Sequence, residues 1–213
     1  MSIAGRSCLL RCFLLVLVVC GLRCRASPTS LIIVPIADVV GASHYSCEFQ
    51  TVGVVEGDTD TARFINTEFG FRDVAEAGVD FNIARHQPFH VLYNVKFVVH
   101  RASRSATAIG SLWAPGIRSQ LYITACRRFG FGRFHFGLID VRKIAEPFFG
   151  FDKLVGARTD LQADYTAGPY GVWSLGLQHT FSDRLQIQGG IVFPNVSADS
   201  TTYTLHFIYS GSF

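Results

Sequence analysis

The sequence predicts an all-β chain: a single antiparallel, up-and-down transmembrane barrel of about 12 strands. Three observations predict it. Segments of about ten residues alternate between apolar and polar or small side chains with period two, as in Val91-Leu92-Tyr93-Asn94-Val95-Lys96-Phe97. Beyond the leader, Pro88, Pro115, Pro147, Pro169 and Pro194 recur at intervals that leave room for two such strands and one tight turn. Proline has no N–H for a strand ladder and is driven into connections. Strand length, finally, matches the roughly 9–11 residues that cross a bilayer at a tilt.

The elements follow in chain order. Residues 1–26 read as a signal peptide. Arg6 and Arg11 precede or interrupt the apolar run of residues 12–22, which is too short for a comfortable spanning helix, and Cys24-Arg25-Ala26 offers a cleavage site after Ala26. Cys20 follows Val19 and Cys24 follows Arg23, which argues against acylation of either. Strands are predicted at 44–55, 62–71, 74–83, 89–100, 107–114, 120–128, 132–140, 147–154, 159–167, 171–181, 185–193 and 201–213. Turn-like composition joins them at Phe71-Arg72-Asp73-Val74, Phe129-Gly130-Phe131-Gly132, Leu154 to Arg158 and Ser182-Asp183-Arg184, and less clearly at Arg101 to Ser105. The fifth strand is ambiguous, because Ala108, Gly110 and Leu112 are hardly more apolar than Ile109 and Trp113.

The last strand carries the most specific motif. Tyr203, Leu205, Phe207, Tyr209 and Phe213 share one face, against Thr204, His206, Ile208, Ser210 and Ser212 on the other. This strand, with its terminal Phe, resembles the closing strand of Gram-negative outer-membrane β-barrel proteins of the small porin-like kind. The resemblance implies that these five residues form an insertion signal read by the barrel-insertion machinery. It also implies that both termini lie in the periplasm and that the protein resides in the cell outer membrane, in contact with its lipids. The tight turns would then face the periplasm and all five prolines would sit in outward loops. Segment 27–43 is expected as a periplasmic leader segment, either remaining outside or entering the lumen, with the barrel at 44–213. Short outer loops imply no large lid or plug. Aromatic residues near strand ends (Tyr45, Phe89, Phe148, Trp173, Phe181, Phe193, Phe213) suggest interfacial girdles.

Charge excludes one class of partner. The chain has 19 basic and 16 acidic residues; the leader holds Arg6, Arg11, Arg23 and Arg25 and no acid, which leaves 15 against 16. The net charge falls from +3 to −1, so no nucleic-acid partner is implied. Beyond the leader only Cys47 and Cys126 remain, read as two unbonded thiols. Each predicted turn carries arginine (Arg72, Arg101 and Arg104, Arg127 and Arg128, Arg158, Arg184), for headgroup contact or simple solvation.

A membrane barrel turns its polar faces inward. The predicted lumen lining is Glu48, Glu68, Glu76, Asp80, Asn82, Asn94, Lys96, Asp152, Gln162, Asp164, Gln178, Gln186, Gln188 and His206. Acids outnumber bases there, which favours cations modestly. Glu68, Glu76 and Asp80, on adjacent strands, are expected to add their fields near one end of the bore. Catalytic patterns are weak: His44-Tyr45-Ser46 is the nearest local pairing, no histidine spacing resembles a zinc site, and no cofactor is implied. The function predicted is a narrow porin-like channel for small solutes or ions, not an enzyme. The alternatives are a structural or interaction barrel with a closed lumen and an outer-membrane lipid hydrolase.

Overall fold

The computed structural model describes residues 30–56, 62–83, 91–114, 117–141, 143–196 and 200–213. The signal peptide, Pro88, Phe89, Pro115, His86 and His90 lie outside the described residues. Twelve strands form: β1 (His44–Val54), β2 (Ala62–Phe71), β3 (Ala75–Asn82), β4 (Val91–Ala102), β5 (Ser105–Ala114), β6 (Ile117–Phe129), β7 (Gly132–Val141), β8 (Ile144–Leu154), β9 (Thr159–Thr166), β10 (Val172–Thr180), β11 (Leu185–Pro194) and β12 (Thr202–Ser212). Each pairs antiparallel with its chain neighbours. β12 closes on β1 in a register that places Cys47 opposite Tyr209 and Gln50 opposite His206.

The pleat sorts the residues. Phe49, Phe97, Leu121, Phe136, Phe149, Leu175 and Phe207 point outward and stay exposed. Glu76, Lys96, His135, Gln188 and His206 point inward and are buried. Apolar outside and polar inside is the inverse of a soluble barrel. The ambiguous β5 resolves the same way: Ala108 and Gly110 face Thr124 and Tyr122 inside, while Ile109 and Trp113 are outside. Gly110 is small because a Cβ there would lie 2.2 Å from the Tyr122 ring. Where β10 begins and β11 ends, Trp173 stacks on Phe193, ring centroids 4.0 Å apart.

At one end of the barrel, the turn end, every connection between strands has two to four residues; at the other, the loop end, four are longer and two, between β5 and β6 and between β7 and β8, have two residues. Arg72, Arg101, Arg104, Arg127, Arg128, Arg158 and Arg184 all lie at the turn end. The β2–β3 turn holds Arg72 at φ 52° and Asp73 at φ 57°, with Val74 N–H donating to Phe71 C=O at 3.1 Å. Two positive φ values match the right-handed twist of a hairpin and usually call for Asn or Gly.

Two expectations need correction. Pro147 lies inside β8, opposite Leu138, and Pro194 is the last residue of β11, so neither sits in a loop. Pro147 is tolerated because its nitrogen faces β9 just past that strand's last pair, Phe148–Thr166; its carbonyl accepts from Ala167 instead. Phe148 is not an interfacial girdle residue: it is fully buried in the lumen. In the run Pro147-Phe148-Phe149-Gly150-Phe151 both faces carry aromatics, so composition does not reveal the parity. The expected periplasmic leader segment, 27–43, for which entry into the lumen is the open alternative, has residues 30–42 inside the barrel, where they act as a plug. Leu31, Ile32, Val34, Ile36, Ala37 and Val40 are at most 3% exposed. Burying a side chain of this kind stabilises by about 1.5–3 kcal/mol.

Candidate functional site

The bore has two parts. Toward the loop end there is a cavity of about 530 Å³, whose lining includes Glu48, Gln50, Asn66, Glu68, Asp80, Asn94, Tyr122 and His206. Residues Ile32 to Pro35 form part of its wall. Pairing explains how the carboxylates come together. Glu48 lies opposite Asn66, Asn66 opposite Asp80, and Glu68 opposite Gly78, all on the inward face of β1, β2 and β3. Glu48 accepts from Asn66 Nδ2 at 2.7 Å and meets His206 Nδ1 at 2.9 Å. His206 Nε2 lies 2.7 Å from Thr204 Oγ1. Outside this cavity, on β9, β10 and β11, Gln162 donates to Gln178 and Gln178 to Gln186 through side-chain amide hydrogen bonds, each 2.7 Å.

Toward the turn end the bore is filled by residues 30–42. This segment turns on itself within the barrel, with a bridge between Ser30 and Pro35 and Leu31 N–H donating to Val34 C=O at 3.0 Å. It joins no strand of the wall. Side chains of the wall hold it instead. Asp164 of β9 accepts from Ile33 N–H at 2.9 Å. Thr124 of β6 donates to Pro35 C=O at 2.9 Å. Lys96 of β4 donates to Asp38 C=O at 3.0 Å. Glu76 of β3 accepts from Val40 N–H at 2.8 Å, and Arg133 of β7 pairs with the Asp38 carboxylate. At the entrance Ala42 N–H donates to Asp73 of the β2–β3 turn at 2.6 Å.

Glycine makes the room. A Cβ on Gly150 would lie 2.5 Å from Leu31 Cδ1, and on Gly190 2.7 Å from Ile32 Cδ1. On Gly70 it would lie 2.1 Å from the carbonyl oxygens of Val40 and Gly41. Leu31, Val34 and Ile36 pack with Phe148 and Ile139, and Ala37 packs among Ala106, Ala108 and Cys126.

The wall charges are also paired among themselves. Lys96 Nζ sits 2.8 Å from Glu76, both side chains 2% exposed. Arg133 Nε reaches Asp152 at 2.9 Å, and His135 Nε2 reaches the same oxygen at 2.6 Å. Asp164 accepts from Ser174 as well.

Every residue predicted for the lumen lies on the inward parity of its strand: Glu48, Glu68, Glu76, Asp80, Asn82, Asn94, Lys96, Asp152, Gln162, Asp164, Gln178, Gln186, Gln188 and His206. The structure divides them by task. Glu48, Glu68, Asp80 and His206 border the open cavity, while Asp164 ties down residues 30–42 and Asp152 braces Arg133. Glu76 therefore does not act with Glu68 and Asp80 as one cluster of acids, because Lys96 neutralises it. Tyr203, Leu205, Phe207 and Tyr209 take the outward parity of β12. Cys47 faces outward and Cys126 inward, both free. His44 and Ser46 both point inward, and His44 Nδ1 is bonded to the Ala42 carbonyl. Among the described residues no group of three His, Cys, Asp or Glu is arranged to hold a metal ion.

The inner residues that sequence reasoning missed are Asp38 and Arg133, together with apolar Leu112, Ile139, Val141 and Val192, which line the cavity opposite the carboxylates. The period-two pattern gives the inward parity of Arg133. Nothing in the sequence marks Asp38 as its partner.

A closed antiparallel ring of twelve strands, apolar outside and polar within, defines a transmembrane β-barrel. Among solved structures the chain is similar to the KdgM porin, with a TM-score of 0.63 at 10% identity over 79% of this chain and 99% of that one. It is likewise similar to the KdgM porin in complex with disordered oligogalacturonate, with a TM-score of 0.62 at 12% identity and the same coverage. The outer membrane protein Omp33 of Acinetobacter baumannii follows, with a TM-score of 0.47 at 12% identity over 83% of this chain and 99% of that one. No family model and no curated protein matches the chain. The likeness is one of fold.

Proposed function

We propose that this chain is a porin-like channel of the Gram-negative outer membrane that passes small cationic or neutral solutes. In this reading it is exported by residues 1–26 and inserted through recognition of Tyr203, Leu205, Phe207, Tyr209 and Phe213. The single observation that carries the reading is an acid-lined cavity inside a wall with an apolar exterior. Glu48, Glu68 and Asp80 border it, and Lys96, the one lysine or arginine on its wall among the described side chains, is paired with Glu76. Like-signed charges between low-dielectric walls concentrate counter-ions. Oligogalacturonate, the anionic chain bound by one structural neighbour, carries the sign this cavity disfavours.

A second reading, a structural barrel with a closed lumen, is favoured by residues 30–42, which occupy the bore toward the turn end. Planar-bilayer recordings separate the two. The channel predicts discrete conductance with a cation-selective reversal potential, for the intact protein or once residues 30–41 are removed. Silence from both forms, each folded and heat-modifiable on gels, leaves the closed barrel.

A further inference from the structure

We infer that the inner wall toward the turn end is a peptide-binding site, and that residues 30–42 are its removable occupant. Three observations carry this. First, the wall is complete without the segment: all twelve strands pair around the ring, and residues 30–42 add no strand to it. The segment's ties to the wall run through the wall's side chains to its backbone and to Asp38.

Second, departure leaves the wall's own ion pairs intact. Arg133 keeps Asp152, and Lys96 and Glu76 keep each other. Asp164 gives up the N–H groups of Ile33 and Val34 and keeps the Ser174 hydroxyl. Breaking a buried ion pair is strongly unfavourable when it leaves one charge uncompensated. Here the site is arranged so that undocking does not do this. An interior segment serving only as permanent filling has no need of duplicated partners.

Third, the tether is short and bent. Ser43 has φ 58°, a conformation that single residues adopt at chain reversals, and His44 N–H closes the bend onto Gly41 C=O at 3.1 Å. The Ser43 carbonyl accepts from Phe213 N–H at 3.0 Å, so the bend fixes where β1 begins and the segment on its other side is free of the strand ladder.

The ligand class is a short peptide with branched apolar side chains at the positions of Leu31, Val34 and Ile36 and a carboxylate at the position of Asp38. What undocking does to permeation rests on the channel reading above; the site itself does not.

Cys126 reports occupancy directly. It points into the bore, 7% exposed, beneath Ala37. The measurement is the rate at which a small, charged methanethiosulfonate modifies Cys126 in the detergent-solubilised protein, located by peptide mass. Reactivity of a covered group tracks the population of the open form. Deleting residues 30–41 is expected to raise the rate by about tenfold or more. Gly150→Leu in the full chain does the same without shortening it, because the added side chain meets Leu31 of the segment first, a Cβ there lying 2.5 Å from Leu31 Cδ1 against 3.3 Å from His135 of the wall. A synthetic peptide of residues 27–43, added to the deletion variant, restores protection, and its Asp38→Asn form does so less well. If Cys126 in the folded deletion variant is as slow as in the full protein, or the peptide leaves the rate unchanged, the site is wrong. If Cys126 is unmasked and re-protected while bilayers stay silent, the peptide site stands and the channel reading falls.

Discussion

The two halves of the bore are walled by the same twelve strands, yet one is packed and the other hollow. In the packed half opposite charges meet on neighbouring strands, Glu76 with Lys96 and Arg133 with Asp152, and Ala106, Ala108 and Gly150 leave space above the wall. Neutralised and roomy, that surface can be dried by Leu31, Val34 and Ile36. In the hollow half Glu48, Glu68 and Asp80 share one side of the wall. Carboxylates of one sign resist removal of the water that solvates them. The filled half is the one in which lysine and arginine meet carboxylates on neighbouring strands.

The comparison is most severely tested at Lys96. Lys96→Met leaves Glu76 buried without its cation, and such a loss costs about 3–5 kcal/mol, so the urea midpoint of the protein in detergent should fall sharply. The double variant Lys96→Met/Glu76→Leu should recover most of that loss, since replacing a buried pair by apolar groups is often neutral. A mild effect for Lys96→Met alone would mean that the packed half is wetter than its burial indicates.

A smaller effect on stability and a larger one on selectivity are expected in the hollow half. Glu68→Gln with Asp80→Asn should lower cation preference, read as a shift of reversal potential in the barrel lacking residues 30–41, with the midpoint almost unmoved. Equal losses of stability in the two halves would erase the distinction drawn between them. The smallest effect is expected outside both. Trp173→Ala removes a stack worth about 0.5–1.5 kcal/mol and should leave the modification rate of Cys126 unchanged; an altered rate would show that the outer belt and the bore are coupled.

Sequence reasoning reached the wall far better than its contents, for a physical reason. A strand with different solvents on its two faces must alternate, so β4, β10, β11 and β12 are visible residue by residue, and boundaries elsewhere move by only a few positions. Parity then places Glu68, Gln178 and His206 inside without further information. Residues 31–36, Leu-Ile-Ile-Val-Pro-Ile, obey no such rule. Most of them are enclosed by the barrel, Ile33 alone of these being exposed, toward the cavity, so all their side chains are apolar and no period survives. Phe148 is hidden for a related reason, since it is an apolar inward residue that exists to meet that segment. The cavity's carboxylates were legible as a set. That Glu76 belongs with Lys96 instead of with Glu68 and Asp80 depends on cross-strand register, which a pattern along one strand does not contain.

The grip on residues 30–42 is assembled from β3, β4, β6, β7 and β9, and β12 must meet β1 before these strands face one another across a common space. No open sheet on the way to the barrel offers the segment a place to rest. Assembly therefore has an order: the ring shuts first, and the amino-terminal stretch, although it precedes β1 in the chain, takes its position last. A newly closed barrel should pass through a brief vacant stage, in which strand content and heat resistance are complete while Cys126 is still reachable.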